Sequence, residues 1–117
     1  MKIKTVVEFD DVAIIKDVTQ NLPEYGLNLK CVGWKYDKCL FKFEDFEEAL
    51  ENGDPKAYTV TLPMLKKGFK KLVQMIGAGR LKGLNINLGN ITDGGEWDAE
   101  CVDALVQCAI FGDVIYG

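Results

Sequence analysis

The chain has 117 residues and a formal net charge of -4, with 48% apolar and 27% charged residues, the balance of a folded domain and not of a disordered segment. It contains no histidine, and Arg80 is its one arginine. Ser-His-Asp and Cys-His nucleophile arrangements are therefore excluded, as are the commonest zinc and haem ligand sets and any fork of arginines on phosphates.

The length suits a single domain over residues 1–117, which at this size buries roughly two-thirds of the surface its unfolded chain exposes. Residues 2–8 read as a strand, with Ile3, Thr5 and Val7 alternating against Lys4 and Val6. They carry no long apolar stretch of the signal-peptide kind, and no apolar run in the chain exceeds four residues. The expectation is a cytoplasmic protein with no membrane partner. Asp10 or Asp11 caps a short helix bearing Val12, Ile15, Val18 and Leu22, and Pro23 closes it. Residues 29–36 and 39–43 read as two strands around the turn Asp37-Lys38. Residues 43–51 predict a brief acidic helix, ended by Asn52-Gly53-Asp54-Pro55.

Residues 57–61 have strand composition and lead into the best helix of the chain. Thr61 is its N-cap and Pro63 sits in its first turn, where a missing N–H costs nothing. Leu62, Leu65, Phe69, Leu72, Val73 and Ile76 form its apolar stripe, and Gly77 and Gly79 stop it. A further helix runs from Asp98 as N-cap to near Gly112, with Glu100 well placed against the dipole. Two or three helices on a small, mainly antiparallel sheet bury these stripes most economically, which predicts an α+β fold.

Four cysteines suit a reducing compartment as buried thiols. Cys31 and Cys39 are eight apart and Cys101 and Cys108 seven apart, wider than the pairs of a structural zinc site. Cys101, Leu105 and Cys108 share one helical face, as small core residues do. No metal or cofactor is implied.

Charge is sorted along the chain. Residues 1–54 carry 7 basic and 12 acidic side chains, residues 55–92 carry 7 basic and no acidic ones, and residues 93–117 carry 6 acidic and no basic ones. Lys66, Lys67, Lys70 and Lys71 fill one face of the predicted helix, either as a solvated face or as a surface for nucleic-acid phosphates. No aromatic residue interleaves them, so a stacking platform is not indicated there. Two acidic segments are the second candidate: Glu44, Asp45, Glu47, Glu48 and Glu51 in one, and Asp93, Glu96 and Asp98 in the other. Such clusters are solvated surface, or imitate a phosphate backbone for a basic groove in a partner protein, or hold Mg²⁺ or Ca²⁺. Asp93-Gly94-Gly95-Glu96-Trp97-Asp98 lacks the spacing of a Ca²⁺ loop. Gly77-Ala78-Gly79-Arg80-Leu81-Lys82-Gly83 follows a helix and matches no phosphate-binding loop, so it reads as a helix stop and connector. Trp34, Tyr36 and Trp97 read as core or rim, and two of them exposed together would mark a partner surface.

The C-terminal stretch Asp98-Ala99-Glu100, Asp103 and Leu105-Val106-Gln107-Cys108-Ala109-Ile110-Phe111-Gly112-Asp113-Val114-Ile115-Tyr116-Gly117 resembles the ending of a group of small uncharacterised phage and prophage accessory proteins, whose tail closes on Q-x-A-[LI]-F-G-[ED]-[IV]-[VI]-Y-G. Glu24, Gly26, Leu27, Asn28 and Cys31 match a second motif of that group, E-G-G-[IL]-N-Y-W-C, with departures at Tyr25, Leu29 and Lys30 and an unexpected Pro23. Tyr58-Thr59-Val60-Thr61-Leu62, Leu65 and Gly68 also resemble it. The resemblance implies a phage-encoded intracellular accessory protein and no particular activity. By its residues the tail reads as structural: Phe111, Val114, Ile115 and Tyr116 form a last short strand, able to pair with its own sheet or with a second copy as a homodimer.

These observations lead to a non-enzymatic module that binds a host or phage protein through its acidic clusters. Its sharpest form is an inhibitor of a host nucleic-acid-targeting defence complex, in the manner of anti-CRISPR proteins. The alternative is a nucleic-acid-associated accessory protein using the basic 55–92 segment.

Overall fold

A computed structural model describes residues 11–20, 22, 29–81, 83–91 and 97–115, with residues 46–49 described in backbone only. The strand expected over residues 2–8, the cap at Asp10 and Pro23 lie outside the described residues. So do Glu24, Gly26, Leu27 and Asn28 of the second motif.

Helix α1 (Asp11–Thr19) buries Ile14, Ile15, Val18 and Thr19; of the expected stripe Ile15 and Val18 are buried in it, Val12 is half-buried, and Leu22 is buried beyond its end. Strand β1 (Lys30–Lys35) then pairs antiparallel with β2 (Leu40–Ala49), across a 3₁₀ turn at Tyr36–Lys38. The turn closes through the Cys39 N–H, which donates to the Tyr36 carbonyl at 3.1 Å. Cys39 takes a left-handed backbone, φ 47°, unusual for a residue with a side chain. Strand β3 (Pro55–Val60) completes a three-stranded antiparallel sheet in the order β1-β2-β3.

The expected acidic helix over residues 43–51 is a correction: it is the second half of β2. Along β2, Phe41, Phe43 and Asp45 are buried while Lys42 is exposed and Glu44 half-buried, a period of two. Pairing with β3 fixes that register, with Phe43 opposite Tyr58, Glu44 opposite Ala57 and Asp45 opposite Lys56. The hairpin ladder and two buried phenylalanines outweigh the weak helical bias of an acid-rich stretch. Asn52-Gly53-Asp54 is a turn as expected, but it closes the hairpin. Gly53 has φ 87°, the Leu50 N–H donates to the Asp54 carbonyl at 2.7 Å, and the Asn52 side chain accepts from the Asp54 N–H at 3.0 Å.

Helix α2 (Leu62–Gly77) starts as the sequence dictates, with the Thr61 hydroxyl accepting from the Met64 N–H at 3.5 Å and Pro63 in the first turn. It ends in a Schellman arrangement. The Arg80 N–H reaches the Met75 carbonyl and the Gly79 N–H the Ile76 carbonyl, each at 3.0 Å, with Gly79 at φ 73°. Helix α3 (Ala99–Phe111) is capped by Asp98, whose carboxylate accepts from the Cys101 N–H at 3.0 Å, and it ends on Gly112 at φ 71°.

The core lies between the inner face of the sheet and the helices, with Phe41, Phe43, Val60, Leu65, Leu72 and Leu105 fully enclosed. Helices α2 and α3 pack side by side, α3 touches β3, and α1 leans on α2. Tyr58 meets Phe111 edge-on at 5.5 Å between β3 and α3, and Trp97 stacks on Phe69 at 6.1 Å. The α+β fold is as predicted. The last short strand is not seen among the described residues. After Gly112 the chain is held by side chains: the Ile115 N–H donates to the Gln107 Oε1 at 2.8 Å, and Arg80 pairs with Asp113 at 3.5 Å. Tyr116 and Gly117 lie outside the described residues.

Candidate interaction surfaces

The acidic candidates do not converge on one described surface. Asp45 is fully buried on the inner side of β2, directly across from Lys56, so its carboxylate is not offered to a partner. Asp98 is engaged as the N-cap of α3. Hydrogen bonds from the Cys101 thiol and from backbone N–H groups hold its carboxyl below the usual carboxylate range. Glu44 is half-buried on the outer face of the sheet, between Lys30 and Ala57, and Glu51 is exposed in the β2–β3 turn. Glu47 and Glu48 belong to β2 by backbone, and their side chains fall outside the described residues, as do Asp93 and Glu96 entirely.

The lysine face is formed as predicted. Lys66, Lys67 and Lys70 are exposed and Lys71 is half-buried on α2, and none of the four makes an ion pair with a described acidic group. Behind them the helix packs closely on α3. Gly68 lies against the backbone of Ala109 in α3, where an added Cβ would stand 2.6 Å from the Ala109 nitrogen.

All four cysteines are free and buried, as expected. Burial pushes every thiol up, that of Cys108 to about 11, and the nearby Asp113 carboxylate acts in the same direction. Cys108 and Met75 bring their sulfurs to 3.9 Å between α2 and α3. Among the described residues, no three Cys, Asp or Glu side chains gather as metal ligands would. Nor is any described helix long and apolar enough to cross a membrane.

The aromatic residues separate cleanly. Trp97 is core, its indole N–H donating to the Ile91 carbonyl at 3.0 Å. Trp34 and Tyr36 are exposed together, at 49% and 42%, with ring centroids 6.4 Å apart. Tyr36 turns its edge onto Phe41 at 6.1 Å, which anchors the pair to the core, and Val32 beside them is also exposed. The strand β1 and the 3₁₀ turn place them: Trp34 lies across from Phe41 in register, and a β-bulge between Cys31 and Gly33 turns Val32 outward.

No protein-family model, curated protein or solved structure matches the chain.

Two aromatic side chains exposed together are the feature expected to mark a partner surface. Its signal is present in Trp34-Lys35-Tyr36-Asp37-Lys38, where rings and charges alternate at the strand period. A shallow groove of about 290 Å³ opens beside Trp34, walled by Gly33, Lys35, Leu40, Phe41, Lys42 and Thr59.

Proposed function

We propose that this chain is a phage- or prophage-encoded accessory protein acting as a non-enzymatic binding module, which docks on another protein through Trp34 and Tyr36. The observation that carries this reading is the exposure of two large aromatic side chains, side by side, on β1 and the 3₁₀ turn that follows it, at the sheet edge among the described residues. Aromatic residues of this kind supply most of the energy in protein interfaces, because they bury much area at little conformational cost. The C-terminal resemblance supports the phage setting, and a host or phage protein as partner. Inhibition of a host nucleic-acid-targeting defence complex is its sharpest form, although burial of Asp45 and capping by Asp98 leave Glu44 and Glu51 as the acidic candidates at the described surface.

Affinity capture from host lysate with the full chain, followed by mass spectrometry, tests the reading. The expected result is an identified protein retained by the wild type and lost by the Trp34→Ala/Tyr36→Ala variant at unchanged thermal stability. Retention by both, or no specific protein with either, overturns it.

The lysines of α2, which make no ion pair with a described acidic group, support a second reading, contact with nucleic-acid phosphates. That reading requires binding that weakens steeply with salt and falls when Lys66, Lys67, Lys70 and Lys71 are neutralised.

A further inference from the structure

Strand β1 presents two sets of side chains of opposite character. Residues directly across a sheet share a face, and neighbours along a strand point to opposite faces. Trp34, across from Phe41, belongs to the inner face, and Tyr36 continues on that side against the Phe41 ring. Gly33, across from Lys42, and Lys35, across from Leu40, belong to the outer face. There Lys30, Lys35 and Lys42 are exposed, with Lys38 just past the strand end. The acidic groups alongside are Asp37 and the half-buried Glu44. The groove of about 290 Å³ lies on the lysine side, with Gly33, Lys35, Leu40, Lys42 and Thr59 in its walls beside Trp34 and Phe41. Among the described residues, β1 is hydrogen-bonded to β2 alone.

We propose that this edge receives an extended segment of another protein in which apolar and acidic residues alternate. The inference rests on the protein-docking reading above and names the chemistry of the partner. A segment laid along β1 as an added strand sends successive side chains to opposite faces. Its apolar residues cover Trp34 and Tyr36 while its carboxylates meet Lys35 and Lys42. Main-chain hydrogen bonds at the sheet edge supply affinity, and the two side-chain sets supply selection.

The lysines also decide what the edge refuses. Lysine on an edge strand guards it against indiscriminate pairing. A second copy docking β1 on β1 would set Lys30 and Lys35 against their own kind, whereas an acidic strand turns the same charges into attraction. Single-stranded nucleic acid is anionic too, but it uses rings and cations on one surface. Here the pleat divides them between two faces, which suits the alternation of a peptide strand.

Three probes test the proposal: a short peptide alternating glutamate with leucine, a block isomer of the same composition, and oligothymidylate. Trp97 is buried, so quenching of fluorescence by acrylamide reports chiefly on Trp34. The alternating peptide is expected to shield Trp34 and to slow amide exchange along β1, and the block isomer to do neither. Lys35→Glu/Lys42→Glu, both at exposed positions, is expected to weaken binding at least about tenfold. A lysine-leucine alternating peptide should then bind that variant in place of the glutamate peptide. Circular dichroism and melting confirm that the variant is folded. No shielding by the alternating peptide, equal binding of the block isomer, indifference to charge reversal, or binding of oligothymidylate in its place each overturns the inference. The docking reading fails separately. If a natural partner needs Trp34 and Tyr36 but tolerates Lys35→Glu/Lys42→Glu, docking stands and the acidic strand falls. If the partner survives loss of both aromatics, docking itself falls.

Discussion

Gly68 sits where α2 crosses α3, and a methyl group there would meet the main chain of Ala109 at 2.6 Å, not the yielding tip of a side chain. Backbone cannot move aside without shifting the helix, so Gly68→Ala is expected to destabilise the fold by about 1–3 kcal/mol, as overpacking does. Gly77, at the exposed end of the same helix, has Leu88 at an ordinary 3.7 Å as its nearest obstacle. Gly77→Ala should therefore be neutral or stabilising by up to about 1 kcal/mol, through better helix propensity. Urea titration checks the pair: the midpoint should fall for the first variant and hold or rise for the second, with m unchanged in both. Equal effects would mean that the close approach of α2 and α3 at Gly68 relaxes around the added methyl group. Cys39 makes the complementary point. Its left-handed backbone is the sort that glycine or asparagine usually supplies, and burial of its side chain holds the turn that presents Tyr36.

Among the elements, α2 and α3 were legible almost to the residue, because their signals are local. Thr61, Pro63 and Gly79 act within one turn of the positions they mark, and so do Asp98 and Gly112. The second half of β2 was not legible. Its acids suggest a solvated helix when read alone, and only pairing with β3 shows that Phe43 and Asp45 face inward. The same long-range information moved Asp45 out of the acidic candidate surface, while Trp34 and Tyr36 needed the edge position of β1 to become a site. The end of the chain differs from expectation for a related reason. Gln107, fully buried, takes the Ile115 N–H on its Oε1 and donates its Nε2 to Asp103 at 2.6 Å, so an amide side chain holds the segment that was expected to join the sheet. Gln107→Met keeps the length of the side chain and removes that acceptor. Amide exchange at Ile115 should then speed up by at least about tenfold, while amides in the middle of α2 stay protected. Unchanged exchange at Ile115 would show that the tail is held by something other than this clip.

For the whole molecule, the net charge of -4 conceals, among the described residues, a lysine face on α2, a lysine-flanked aromatic edge on β1, a buried Asp45 and an Asp98 used as a helix cap. The thiols, by contrast, are all free and buried. Burial raises the pKa of all four above the ordinary value of 9.0, that of Cys108 to about 11. The folded state therefore keeps its thiol protons at pH values where the unfolded chain has released them. With fewer protons bound in the unfolded state, stability must fall as pH rises. The loss begins near pH 9 and continues toward about 11 for Cys108. Cys108→Ala removes one of the titrating groups. Its stability at pH 7 should be lower than wild type, since the site is buried, but its decline from pH 9 upward should be shallower. Urea midpoints across that range give the two slopes. Thiol labelling at pH 8 supplies the kinetic counterpart: each buried cysteine should react only as fast as the fold opens, and all four at one rate if the chain unfolds as a unit. Equal alkaline slopes for wild type and Cys108→Ala, or rapid labelling of any one thiol in the native state, would show that this sulfur reaches solvent without unfolding.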